Sequence, residues 1–132
     1  MRESPPASSS RRILVADDNS DAATSLAMLL DGMGHATWVV NDGIATVEAA
    51  ATFRPDIILL DIAMPRLNGF DACSRIRAQP ADRQVVIVAL TGWIQDEMRQ
   101  RSREAGFDFY LIKPVEPDAL RKLIQDCMPA GD

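Results

Sequence analysis

The sequence predicts a three-layer α/β/α domain, doubly wound around a parallel sheet. Three observations carry that prediction. Short apolar segments alternate with segments of helical periodicity, five of each. Two apolar segments, 57–60 and 85–90, are unbroken aliphatic runs, as expected of strands covered by helices on both faces. A length of 132 residues, 47% hydrophobic and 25% charged, suffices for one globular domain and is too short for two of ordinary size.

Residues 1–11 are rich in serine and proline, have little to bury, and read as a disordered tail. The first strand is 12–16. Ser20 reads as an N-cap, and Leu26, Leu29, Leu30 and Met33 recur at helical spacing until Gly34 ends the run. Residues 35–40 read as a strand. Asn41 or Asp42 caps the next helix, which carries Ile44, Val47 and Ala51. Residues 56–60 form a third strand, and a loop with Pro65 and Gly69 leads into a helix around Phe70, Cys73 and Ile76. The stretch 85–89 is the most β-prone of the chain. A helix over 94–105 stops at Gly106, and 109–112 is the fifth strand. The last helix starts near Glu116 with Pro117 in its first turn. Its apolar residues are Leu120, Leu123, Ile124, Cys127 and Met128. Residues 12–128 are thus expected to form the domain, and 129–132 a short C-terminal tail.

Composition excludes several function classes. The longest apolar run, 85–90, is far short of the roughly 20 residues of a membrane span. A net charge of −5 disfavours a nucleic-acid partner, which a basic surface must neutralise. Cys73 and Cys127 share no metal-binding or disulfide spacing, and the N-terminus lacks a signal peptide's apolar stretch. The expected compartment is the reducing cytoplasm.

In an open parallel sheet, ligands bind where loops leave the carboxyl ends of the strands. The first strand ends in Asp17-Asp18, the third in Asp61, and the fifth in Lys113-Pro114; Thr91 follows the fourth. Three carboxylates on one rim repel unless a cation offsets them, and magnesium prefers such oxygen ligands. Lys113 can pair with a carboxylate at rest and with a phosphoryl oxygen later, while Thr91 donates to another. These parts suit phosphoryl transfer with an aspartate nucleophile.

The sequence resembles a response-regulator receiver domain, the phosphoacceptor module of two-component signalling, over about residues 11–128. The matching pieces are Ile-Leu-Val-Ala-Asp-Asp-Asn at 13–19, Asp-Ile-Ala-Met-Pro-Arg-Leu-Asn-Gly at 61–69, Ala-Leu-Thr-Gly at 89–92 and Ala-Gly-Phe-Asp at 105–108, leading to Lys113-Pro114. The resemblance implies a flavodoxin-like (βα)5 fold with strand order 2-1-3-4-5. It implies that Asp61 accepts the phosphoryl group from a histidine kinase or histidine phosphotransfer protein. Asp17, Asp18, Asp61 and the backbone carbonyl of Ala63 are then the Mg2+ ligands, and Thr91 and Lys113 contact the phosphoryl group. Thr91 and Tyr110 are the implied switch pair, and the Lys113–Pro114 bond is expected to be cis. Trp93 and Ala63 are expected to flank the route of water to the phosphoryl group, with bulky Trp93 shielding it. A downstream protein would dock on the face of the fourth helix, fifth strand and fifth helix, where Arg99, Arg101, Arg103, Arg121 and Lys122 lie.

Each of these residues also has an ordinary reading. Asp18 can begin a turn and Asp17 can cap a helix; Lys113 can reach solvent, and Tyr110 can be a packed strand aromatic. The arginines of the fourth helix suit the helix dipole. His35 has no metal-binding company and reads as structural or surface. Gly32-Met-Gly34 precedes a strand and is not a dinucleotide fingerprint. With no output domain after 128, a stand-alone receiver is expected, and a receiver from a hybrid histidine kinase is the alternative. An aspartyl phosphatase would need a second carboxylate two residues after Asp61, where Ala63 stands.

Overall fold

A computed structural model describes residues 10–64, 66–80, 84–92 and 96–127. Pro65, Trp93, Ile94 and Met128, with tail residues 1–9 and 129–132, lie outside the described residues. The chain runs β1 (Arg12–Ala16), α1 (Ser20–Gly32), β2 (Ala36–Val40), α2 (Gly43–Thr52), β3 (Ile57–Asp61), α3 (Gly69–Ala78), β4 (Val86–Thr91), α4 (Asp96–Ala105), β5 (Phe109–Ile112) and α5 (Pro117–Cys127). The strands are parallel in the order β2-β1-β3-β4-β5. This is the predicted three-layer fold.

Side chains alternate along each strand, so the sheet builds a separate core on each face. On one face Ile13, Val15, Ile57, Leu59, Val88 and Leu90 meet Leu26 and Leu30 of α1 and Leu120 and Ile124 of α5. On the other, Leu14, Ile58, Leu60, Ile87 and Ala89 pack against Ala49 of α2 and Phe70, Cys73 and Ile76 of α3. The central strands β1, β3 and β4 are thus clamped from both sides, which holds their carboxyl ends in fixed register.

Several elements differ from expectation in detail. Asn19, not Ser20, caps α1: its extended backbone lets Oδ1 accept the Ala22 N–H at 3.0 Å. Asp42 caps α2, accepting from the Ala45 N–H at 2.8 Å. The buried face of α2 is Gly43, Thr46 and Ala49, while Ile44 and Val47 are half-buried and Ala51 is exposed. Small residues let this helix lie close, and the Thr46 hydroxyl is satisfied by donating to Asp42 O at 2.7 Å. β3 and β4 extend to Asp61 and Thr91, which are both buried. Ser10 and Arg11, which composition places in the tail, are tied down. Ser10 Oγ donates to Gly34 O at 2.9 Å, and the Arg11 N–H donates to His35 Nδ1 at 3.0 Å. His35 is a structural residue: burial, then the charge of Arg11, lower its pKa and favour the neutral ring this bond needs.

Candidate functional site

β1 and β3 are neighbours, and β4 and β5 follow, so their carboxyl ends share one rim. Asp17 leaves β1 fully buried. Its N–H donates to Val40 O at 3.1 Å, and its Oδ1 accepts the Asn19 N–H at 3.0 Å. Asp61 ends β3 opposite Leu90, 4% exposed, with Oδ1 accepting the Ala63 N–H at 3.1 Å. Lys113 follows β5 and is joined to Pro114 by a cis bond, as the resemblance implies. Its Nζ lies 3.0 Å from Asp17 Oδ2 and 3.1 Å from Asp61 Oδ2. Asp18 is exposed, yet carboxylate oxygens of Asp17, Asp18 and Asp61 all lie within 4.8 Å of one another.

Thr91 pairs with Ile112 in the sheet and is buried, one step beyond the Asp61–Leu90 pair. Among the described residues, a Cβ added to the following Gly92 would meet nothing within 4 Å. The structure therefore gathers Asp17, Asp18, Asp61 and Lys113, with Thr91 on the same rim. Tyr110 is not in the pocket. It is 39% exposed on the α4 side, its ring 5.6 Å from the Arg99 guanidinium carbon. There it lines an open cavity of about 380 Å³ with Arg99, Ser102, Arg103 and Phe107.

The electrostatics favour a cation. Burial pushes the Asp61 carboxyl up to about 6; Lys113 and the Ala63 N–H pull it down, and the Asp17 charge adds to the rise. Burial works against the charge of Lys113, but its contacts with Asp17 and Asp61 outweigh that and raise its pKa. Three carboxylates against one ammonium leave surplus negative charge. Asp17 Oδ2 is buried and receives no well-aligned hydrogen bond; the Lys113 ammonium beside it meets it as an ion pair. A carboxylate oxygen with a free lone pair, inside an all-oxygen acidic cluster, fits a hard divalent cation such as Mg2+.

The loop after Asp61 is tightly closed. Gly69 N–H donates to Ile62 O at 2.8 Å, and a Cβ on Gly69 would fall 2.6 Å from both Asp61 O and Ile62 Cα. Gly69→Ala is expected to destabilise the domain by about 2 kcal/mol, because backbone must move. Urea unfolding checks this; an unchanged midpoint would contradict it. Sequence reasoning placed Asn41 at the end of the second strand, at the sheet edge, without a role in the site, and missed Gly43. Asn41 Nδ2 donates to Asp17 O at 2.8 Å, and Gly43 lies against Leu67. Asn41 carried a signal as a polar strand-end residue and as a capping candidate; the Gly43 contact has none in the sequence.

The response regulator receiver domain family model matches residues 13–125. The chain is 39% identical over 110 residues to the DNA-binding response regulator MtrA of Mycobacterium leprae (strain TN), covering 83% of this chain and 48% of that protein. It is 36% identical over 121 residues to the transcriptional regulatory protein PdtaR of Mycobacterium tuberculosis (strain CDC 1551 / Oshkosh), covering 91% and 54%. The chain thus spans about half the length of these curated relatives. Among solved structures, it resembles the receiver domain of sensor histidine kinase PA1611 from Pseudomonas aeruginosa PAO1, which has a magnesium ion coordinated in its active site cleft. There the TM-score is 0.82 at 34% identity, covering 90% of this chain and 98% of that one.

Proposed function

The chain belongs to the response regulator receiver domain family, and from that premise we propose that Asp61 accepts a phosphoryl group from a phosphohistidine of a histidine kinase or histidine phosphotransfer protein. The observation that carries this reading is the Lys113 ammonium set between Asp17 and Asp61, with Asp18 alongside. Asp17, Asp18, Asp61 and the Ala63 carbonyl would hold Mg2+, which supplies positive charge to phosphoryl oxygens when bound.

An Asp61 carboxylate oxygen attacks phosphorus, the donor's P–N bond breaks, and the imidazole leaves with the bonding pair. The product is an aspartyl phosphate. Lys113 neutralises one phosphoryl oxygen and the Thr91 hydroxyl donates to another. Movement of Thr91 toward the phosphoryl group opens space for Tyr110 to turn inward, shifting the population of a pre-existing state. A downstream protein reads the change on the α4–β5–α5 face, where Tyr110 and Ile112 are exposed.

The domain assists its own phosphorylation and hydrolysis and turns over no external phosphomonoester. The net charge of −5 supports a protein partner over nucleic acid for this domain. Among the described residues no helix is long and apolar enough to cross a membrane. The cytoplasm, where kinases hold phosphohistidine, is the proposed compartment. A second reading, the receiver portion of a hybrid histidine kinase, is favoured by the likeness to the PA1611 receiver domain.

Incubation with Mg2+ and acetyl phosphate tests the function. Intact mass should rise by one phosphoryl group in the wild type and not in Asp61→Asn; label retained by the variant would move the acceptor elsewhere.

A further inference from the structure

We infer that the corner between β2 and α2, residues 41–43, is a brace that sets the separation of the β1–α1 loop, which carries Asp17, and the β3–α3 loop, which follows Asp61 at the end of β3, with Asn41 and Gly43 as positioning residues. The inference rests on the phosphoacceptor reading and deepens it. Neither residue adds a carboxylate, hydroxyl or ammonium to the pocket.

One arm of the brace holds the β1–α1 loop. Val40 O accepts the Asp17 N–H at 3.1 Å, and Asn41 Nδ2 donates to Asp17 O at 2.8 Å. The peptide groups on both sides of the Asp17 Cα are therefore fixed by consecutive residues at the end of β2. That fixes the backbone from which the buried Asp17 side chain projects, and the Asn19 N–H, 3.0 Å from Oδ1, orients its carboxylate.

The other arm seats the β3–α3 loop. A Cβ on Gly43 would overlap the Leu67 carbonyl oxygen and stand 2.6 Å from the Leu67 carbonyl carbon and Cβ. The loop that begins at Asp61 thus rests on the bare backbone of the first residue of α2. Asp42 adds a long ion pair, Oδ2 to Arg66 Nη1 at 3.7 Å, and Arg66 itself has a left-handed backbone, φ 70°. The same loop is pinned at its far end by Gly69 against Asp61 O. Its freedom to relax around an added methyl group is small.

Outer partners that orient metal ligands commonly change cation affinity by about 10–100-fold when removed. Magnesium titration calorimetry on the full chain, paired with thermal melts in EDTA, tests the brace. Asn41→Ala and Gly43→Ala should each weaken Mg2+ binding about tenfold. Gly32→Ala is the control, since a Cβ there meets nothing within 4 Å among the described residues; it should bind as the wild type does. Alanine is the better helix former, so a Gly43→Ala change felt only by α2 would leave affinity alone and raise the melting temperature. Should Gly43→Ala fail to fold, Asn41→Ala decides. Variants that melt earlier yet bind Mg2+ with wild-type affinity would overturn the brace and leave the phosphoacceptor reading standing. A wild type that binds no Mg2+ would overturn both.

Discussion

Replacing Lys113 with methionine is expected to lower the thermal midpoint by about 10 °C in metal-free buffer. The ammonium is the group that touches both Asp17 and Asp61, at 3.0 and 3.1 Å. Removing it leaves two buried carboxylates facing each other, and breaking such a pair by deleting one partner costs about 3–5 kcal/mol when burial is complete. Lys113 retains 31% side-chain exposure, so water enters and about 2–3 kcal/mol is the expected loss. Methionine keeps most of the stem's volume and isolates the charge. Mg2+ should restore more of the midpoint in the variant than it adds to the wild type, because the cation then supplies the missing positive charge. Scanning calorimetry with EDTA and with Mg2+ measures both; equal midpoints for wild type and variant in EDTA would contradict the pairing.

Asp61→Asn is expected to stabilise the metal-free domain at neutral pH and to leave it unchanged near pH 4. Burial raises the folded-state pKa of Asp61 to about 6, above its ordinary value of 3.8. A raised carboxyl binds its proton more tightly folded than unfolded, so folding is favoured while the group is neutral. That advantage is lost as pH climbs from the unfolded value through about 6. The isosteric amide carries no charge at any pH. The variant should therefore gain about 1–2 kcal/mol over the wild type at pH 7 to 8, less than the full shift implies because the amide does not reproduce every contact of the protonated carboxyl. His35 slopes the other way, since its lowered pKa costs stability as pH falls below 6.5. It is present in both proteins and cancels in their difference. Urea unfolding from pH 4 to 8 in EDTA measures the difference; a gap that does not widen with pH would contradict a strained carboxylate.

The sequence discloses the main features of the site because strand ends are easy to read. Four buried aliphatics followed by Asp61 announce a carboxylate that needs a partner, and Lys113 after an apolar strand announces one. What is hidden is local or tertiary. Ser20 and Asn19 are both capping residues, and only the backbone at Asn19 decides between them. β3 and β4 run on to Asp61 and Thr91, past the aliphatic runs that mark them in the sequence, because neighbouring strands continue to pair with them. The face of α2 is shifted toward Gly43, Thr46 and Ala49 because close approach favours small side chains over the apolar ones periodicity selects. The Gly43–Leu67 contact joins residues remote in the chain and leaves no pattern in either segment.

A crystal structure grown with Mg2+ and beryllium trifluoride, a phosphoryl mimic, tests the account most directly. The mimic should be bonded to an Asp61 oxygen, with Thr91 Oγ1 and Lys113 Nζ on its fluorines and the cation held by Asp17, Asp18 and Asp61. A mimic bonded to another carboxylate, or a cation bound away from these three aspartates, would contradict it.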